Sequence, residues 1–253
     1  MSTGRVKVGT SGWSYDHWER AFYPEHLGAS HRLEYYAGCF PTVEINATFY
    51  RMPSEHAVRS WAEEVPKGFA FSVKGSRFIT HYRHLVGAGD ALVSFMERVQ
   101  LLGPKLEVVL WQLPPTMVAD VDVLDAFLGS LPKGTVRHAV EFRHSSWLNA
   151  RTFEVLAVHN AAHVHVSSDQ MPEDLTPTAD FVYVRFHGTA RYHGAYVEPA
   201  LEPWCSFLSQ QAAEGRDGYA YFNNDAEAHA PRDAARLTAM LGQVAVQAAR
   251  VEA

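Results

Sequence analysis

The chain has 253 residues, 47% hydrophobic and 20% charged, with 22 Lys and Arg against 28 Asp and Glu for a net charge of −6. This composition excludes a disordered chain and a short peptide scaffold, and the acidic balance disfavours nucleic acid as a partner. Cys39 and Cys205 stand far apart in no metal-type spacing, no apolar run approaches the ~20 residues of a membrane span, and residues 1–10 lack the apolar stretch of a secretory signal, so a cytoplasmic single-domain protein, monomeric by default, is expected.

The first strand is expected at 6–9, followed by a loop rich in rings: Trp13, Tyr15, Trp18, Phe22 and Tyr23. Rings at such spacing pack into a lid or core more often than they form a base-stacking platform, and a lid is expected here. β-Branched and aromatic runs then recur at 42–48, 69–74, 108–113, 138–142, 163–167, 181–187 and 219–223. Between them the apolar spacing turns helical, as in Leu92, Phe95, Met96 and Val99, in Leu124, Phe127, Leu128 and Leu131, and in Leu237, Met240, Leu241 and Val244. Ser54-Glu55 punctuates the start of a helix carrying Trp61, and Asp122 does so ahead of Leu124. Segment 168–179 holds Pro172 and Pro177 without helical periodicity, so the sixth unit is expected to be irregular or truncated. Eight strands in 253 residues give about 32 residues per repeat, close to the ~30 of a strand-helix-strand unit. With right-handed crossovers they close into an α/β fold, a (β/α)8 barrel of the TIM type.

Buried parallel strands should read as apolar runs, yet several of these are apolar only in their first half. Glu44, Asn46, Thr48 and Tyr50 follow at spacing two, which reads as one strand face climbing toward the barrel mouth. Lys74, Gln112, Ser167 and Asp169 mark the ends of the third, fourth and sixth strands, Glu141 and Arg143 the fifth, Arg185 and His187 the seventh, and Asn223, Asn224 and Asp225 the eighth. Active sites of such barrels sit at this C-terminal rim. The candidate catalytic residues are Glu141, His187, Glu44 and Lys74. Trp13, Asn46, Tyr50, Gln112, Arg143, Trp147, Asp169, Arg185, Asn223, Asn224 and Asp225 are the candidate substrate-binding residues.

A structural alternative stands beside this: Glu44, Glu141, Lys74, Arg143 and Arg185 could neutralise one another as a barrel plug. Confinement of the charges to one rim argues against it. Phosphate-loop, dinucleotide and nucleophile-elbow motifs are all lacking. Glu44, Glu141, Asp169, His187 and Asp225 could meet around a divalent ion, but no local spacing calls for one, and no metal or cofactor is expected. His163 and His165 share a strand face without a third ligand and read as packed histidines, and both cysteines read as small core residues on helices.

The chain resembles the family named for domain of unknown function 72, also called YecE-like. The resemblance is carried by Gly9-Thr10-Ser11-Gly12-Trp13-Ser14-Tyr15 with Trp18 and Phe22-Tyr23-Pro24, by Glu44-Ile45-Asn46-Ala47-Thr48-Phe49-Tyr50-Arg51 and by Gln112-Leu113-Pro114-Pro115. It continues in Glu141-Phe142-Arg143-His144-Ser145-Ser146-Trp147, Tyr183-Val184-Arg185-Phe186-His187-Gly188 and Tyr221-Phe222-Asn223-Asn224-Asp225. Ser145 departs from a proline, and Val197 after Tyr196 from a small hydroxyl residue. The resemblance implies a TIM barrel with a polar pocket at its strand ends and no assigned reaction; its likeness to sugar isomerases and barrel endonucleases is one of fold.

Lys74, Arg143, Arg185 and Arg191, with the Gly188 and Thr189 backbone N–H groups, point to a phosphorylated or carboxylated sugar-like substrate. Glu141 is expected as acid or base with His187 as its proton-transfer partner, Arg185 and Lys74 as stabilisers of negative charge, and Asn46, Asn223 and Asp225 as orienters of hydroxyls. An isomerase or hydrolase is the expected class. The alternatives are a non-catalytic metabolite-binding module and a metal-dependent phosphodiesterase.

Overall fold

The computed structural model describes residues 3–189 and 194–251. Eight parallel strands, β1 (Val6–Thr10), β2 (Thr42–Ile45), β3 (Ala70–Lys74), β4 (Leu106–Gln112), β5 (Arg137–Glu141), β6 (Ala161–Ser167), β7 (Phe181–Phe186) and β8 (Asp217–Phe222), run in the order β1-β8-β7-β6-β5-β4-β3-β2. Helices α1 (Arg32–Cys39), α2 (Ala47–Tyr50), α3 (Glu55–Glu64), α4 (Gly89–Val99), α5 (Val121–Ser130), α6 (Ala150–Val158), α7 (Glu198–Ala213) and α8 (His229–Val251) lie between and after them. The result is the expected (β/α)8 barrel. None of the described helices is long and apolar enough to cross a membrane.

The ring is nearly closed. At the β1–β2 seam the only strand pairing among the described residues is a bridge between Ser11 and Glu44, with Gly12 N donating to Glu44 O at 2.8 Å. Below that bridge the phenol of Tyr36, from α1, sits in the ladder: its oxygen accepts from Thr10 N at 2.9 Å and donates to Thr42 O at 3.1 Å. A side chain thus replaces a backbone rung, satisfying two groups that would otherwise be buried unpaired.

Two apolar layers hold the barrel. The larger lies between strands and helices and includes Val43, Phe71, Phe95, Trp111, Phe127, Leu156, Leu208 and Leu237. The smaller fills the barrel interior, with Val108, Leu110, Ala139, Val164 and a column of rings, Tyr219, Tyr183 and Tyr221, whose centroids are 6.2 and 5.2 Å apart in turn. Alternation holds on β7, where Tyr183 and Arg185 face the interior and Val184 and Phe186 the helices.

Four local expectations are corrected. Strand two stops at Ile45: Asn46 is helical (φ −90°, ψ −22°) and opens α2, so Glu44, Asn46, Thr48 and Tyr50 do not share a strand face. The Thr48 hydroxyl bonds back to Ile45 O and across to Lys74 O, which bends the chain over the end of β3. The cap of α5 is Asp120, accepting from Val123 N, and not Asp122, whereas Ser54 caps α3 as read. Cys39 is exposed, while Cys205 is buried. The aromatic first loop is core and not lid: Trp18 and Tyr23 are fully buried, and Phe22 packs against Tyr35, Tyr36 and Phe40. The connection from β6 to β7 carries no helix, as its two prolines foretold.

Candidate functional site

At the C-terminal end of the barrel the inward positions become ionisable. Arg185, from β7, is 1% exposed and lies between two fully buried carboxylates: Nη1 donates to Glu141 Oε2 and Nη2 to Glu44 Oε1, each at 2.6 Å. Glu44 is completed by the Ser11 hydroxyl on Oε1 and the Tyr183 phenol on Oε2, both at 2.6 Å. Glu141 is met at Oε1 by the Arg143 Nε and, at 3.4 Å, by Gln112 Nε2. His187 Nε2 lies 2.9 Å from Arg143 Nη2 and 3.4 Å from Glu141 Oε1, and its Nδ1 is 3.2 Å from the Asn223 amide.

The electrostatics follow from this packing. Burial acts to raise the Glu141 pKa, but Arg143 and Arg185 overcome it and hold the carboxyl well below the usual range. Burial lowers His187 to about 4 against the pull of Glu141, so the ring is neutral near pH 7 and accepts from Arg143. Two carboxylates facing two guanidinium groups make a neutral set.

Lys74, at the end of β3, is left over. Its Nζ lies 4.2 Å from the Phe49 ring centroid and makes no hydrogen bond or ion pair among the described residues. Burial first, then Arg185, lowers its pKa to about 7, while Glu141 and Glu44 work the other way. Gly75 follows because a Cβ there would stand 2.3 Å from Trp111 Cε3. His81, in a π-helical turn (Phe78–Tyr82), packs edge-on to Phe49 at 4.9 Å and is lowered to about 4 by burial and Lys74.

Of the residues singled out from the sequence, Glu44, Lys74, Gln112, Glu141, Arg143, Arg185, His187 and Asn223 come together here. Asn46 follows β2 directly, and its buried Oδ1 has no hydrogen-bond partner among the described residues. Asp225 lies toward the first loop, 3.6 Å from His17 Nε2, and its carbonyl accepts from that ring and from Trp18 Nε1.

The others belong elsewhere. Trp147 is fully buried, stacked on Phe142 at 4.9 Å, with its indole N–H given to Met117 O, so it is a core residue. Asn224 faces α8 and spends its amide on Asp233 Oδ2 and Gly194 O. Trp13 packs edge-on to Trp61 of α3. Tyr50 is 65% exposed on the rim beside Arg77, and Asp169 is exposed without a hydrogen bond or ion pair to the cluster. The Gly188 N–H is taken by the Tyr196 hydroxyl at 3.1 Å, leaving Thr189 alone of the two expected donors, and Arg191 lies outside the described residues. His163 and His165 pack among Phe142, Phe153 and Phe207, as packed histidines should.

Ser11, Tyr183 and Phe49 stand in the motifs that carry the resemblance but were not among the candidate site residues, although Tyr183 stands two residues before Arg185 on one strand and period two alone places it inside. Charge is also not confined to this rim. At the opposite end Lys7 pairs with Glu107, Tyr219 donates to Glu107 at 2.6 Å, and Arg137 binds Asp217 at 2.8 Å. These residues line a cavity of about 980 Å³ at the N-terminal strand ends. Charged pairs therefore occur at both ends of the barrel, and the expectation that they are confined to one rim is corrected. Among the described residues no three His, Cys, Asp or Glu side chains are grouped to hold a metal ion.

A sequence profile of the family described as protein of unknown function DUF72 matches residues 7–252. The chain belongs to the DUF72 family. Among its relatives, the UPF0759 protein YunF of Bacillus subtilis is 25% identical over 93% of this chain and 94% of its own length. The UPF0759 protein YecE of Escherichia coli is 34% identical over 55% of this chain and 48% of its own. A solved DUF72 protein from Thermotoga maritima is 30% identical, superimposes with a TM-score of 0.85, and is matched over 94% of this chain and 99% of that one. A DUF72 protein from Enterococcus faecalis, 19% identical with a TM-score of 0.81 over 94% of this chain and 95% of that one, shares the fold.

Proposed function

We propose that this DUF72 protein is an enzyme that takes a small anionic, sugar-like molecule at the C-terminal mouth of the barrel and moves a proton there. The observation that carries the reading is Lys74: a mostly enclosed amine that has no counter-ion among the described residues, beside two carboxylates whose oxygens are already met by Arg185, Arg143, Ser11 and Tyr183. An arriving phosphate or carboxylate would supply the missing charge. A pKa of about 7 makes the amine an acid or base suited to neutral pH, because proton transfer is most effective when the catalyst titrates near the working pH.

The proton-transfer role therefore moves from Glu141 to Lys74. Glu141 and Glu44 become fixed counter-charges that aim Arg185, and His187 orients Arg143 in its neutral form. Asn46 Oδ1, buried and unpartnered, would accept a substrate hydroxyl.

The test is thermal-shift screening with sugar phosphates, sugar acids and the matching neutral sugars, on the wild type and Lys74→Met. Stabilisation by the anionic series alone, lost in Lys74→Met, is the expected outcome. A response confined to neutral compounds, or one indifferent to Lys74, overturns the anionic assignment.

A further inference from the structure

The mouth contains an amine in an arrangement that ion pairing does not explain. The chain has five lysines. Lys7 is paired with Glu107, Lys105 donates to Ala62 O and Val65 O, and Lys67 and Lys133 are exposed. Lys74 alone is set inside the barrel mouth, with the Phe49 ring on one side and the network of Glu44, Arg185, Glu141 and Arg143 near it. An acceptor held at this position would keep the ammonium protonated, and both available carboxylates are engaged elsewhere.

From this geometry we infer that Lys74 is a nucleophile that forms an imine with the aldehyde or ketone group of the substrate. The inference rests on the reading that an anionic ligand occupies this mouth, and it specifies that ligand as a carbonyl compound whose carbonyl carbon, and not its anionic group, meets Lys74 Nζ, the anion lying near enough to balance the charge without taking up the amine.

In the reaction the Nζ lone pair adds to the carbonyl carbon, the C=O π pair moves to oxygen, and a proton passes from nitrogen to that oxygen to give a carbinolamine. The hydroxyl then takes up one proton and leaves as water while the nitrogen lone pair forms the C=N⁺ bond. One proton is consumed, one water is released, and no oxidant or reductant is needed. The charges facing Lys74 favour the free amine as the starting state. Arg185 from β7 and Arg143 after β5 oppose the ammonium, Glu141 from β5 and Glu44 from β2 support it, and burial against Phe49 tips the balance. The π-helical turn contributes His81, which is neutral at the same pH. After condensation the iminium charge takes over the position of the ammonium between Phe49 and the two carboxylates.

The test is trapping by reduction. The intact protein at pH 7.5 is incubated with glyceraldehyde 3-phosphate, or with glycolaldehyde as the uncharged comparison, and sodium borohydride is added; hydride converts the iminium to a stable secondary amine. Mass spectrometry reads a gain of the probe's mass less one oxygen, and peptide mapping locates it. The expected result is modification at Lys74 at least tenfold above that at Lys67 and Lys133 with the phosphorylated probe, lost in Lys74→Arg, which is checked for folding by circular dichroism. Because the comparison among lysines is made within one wild-type sample, it stands even if the variant fails to fold. Stabilisation of the wild type by the probe without an adduct at Lys74 refutes the imine and leaves the binding reading intact. Neither stabilisation nor adduct refutes both, and adducts spread evenly over Lys67 and Lys133 refute the imine.

Discussion

Arg185→Met tests the charge network most directly. The substitution keeps much of the side-chain volume and removes a guanidinium that holds Glu44 and Glu141 at 2.6 Å each. The two carboxylates are not left alike. Glu141 keeps Arg143, whereas among the described residues Glu44 keeps only the Ser11 and Tyr183 hydroxyls. One buried charge is therefore stranded, and stripping one partner from a buried pair costs about 3–5 kcal/mol. For a chain of this size each kcal/mol shifts the melting temperature by roughly 2–4 °C, so a fall of about 6–20 °C is expected, with a matching loss in urea unfolding at pH 7.5. Adding Glu44→Gln should restore most of the loss, because the remaining hydroxyls can still bond a neutral amide, and adding Glu141→Gln should restore less. A loss below about 1 kcal/mol, or better rescue through Glu141 than through Glu44, would refute the asymmetry.

Three further outcomes follow from the same geometry. Lys74 binds its proton less tightly folded than unfolded, so the unfolded chain holds more protons between about pH 7 and 10 and wild-type stability should rise across that range; Lys74→Met should remove the slope and be about 1 kcal/mol or more stabler than wild type at pH 6, read from denaturant midpoints. Asn224→Ala should cost about 1–3 kcal/mol by leaving Asp233 short of a donor while ligand-induced thermal shifts persist, and Asn223→Ala should do the reverse. His163, His165 and His138 are lowered to about 3, 4 and 4 by burial, so stability should fall as pH drops below about 6.5, with Glu141 adding to the fall below about 4.5; His163→Phe should make the first part of that curve shallower.

The strands were legible because buried parallel strands use β-branched and aromatic runs, and the end of β2 was not because four polar residues at spacing two imitate a strand. The α2 helix that replaces it spans Ala47–Tyr50, too short for any 3.6-residue rhythm, and it is fixed by a hydroxyl bond to Lys74 O on another strand. Within the site, pairs such as Glu141 with Arg143 and Arg185 with His187 could be assembled from alternation alone. Asn223 and Asn224 show the same rule applied too loosely: adjacent positions point opposite ways, and only the first faces the cluster. Trp147 was beyond reach, since the acceptor of its indole N–H is a carbonyl about thirty positions away. The special standing of Lys74 was equally hidden, because it depends on which carboxylate oxygens other groups have already filled.

The Tyr36 phenol has a consequence for how the molecule holds together. Its oxygen receives from one wall of the barrel and gives to the next, and Gly9 leaves the room for it: a Cβ there would lie 2.2 Å from Thr42 O and 3.0 Å from the phenol oxygen. The same hydrogen bonds therefore tie the first outer helix to both ends of the sheet. A phenylalanine in its place would fill the same space yet leave Thr10 N and Thr42 O without this partner, so that the Gly12–Glu44 bond above it would be the one backbone bond left to the seam among the described residues.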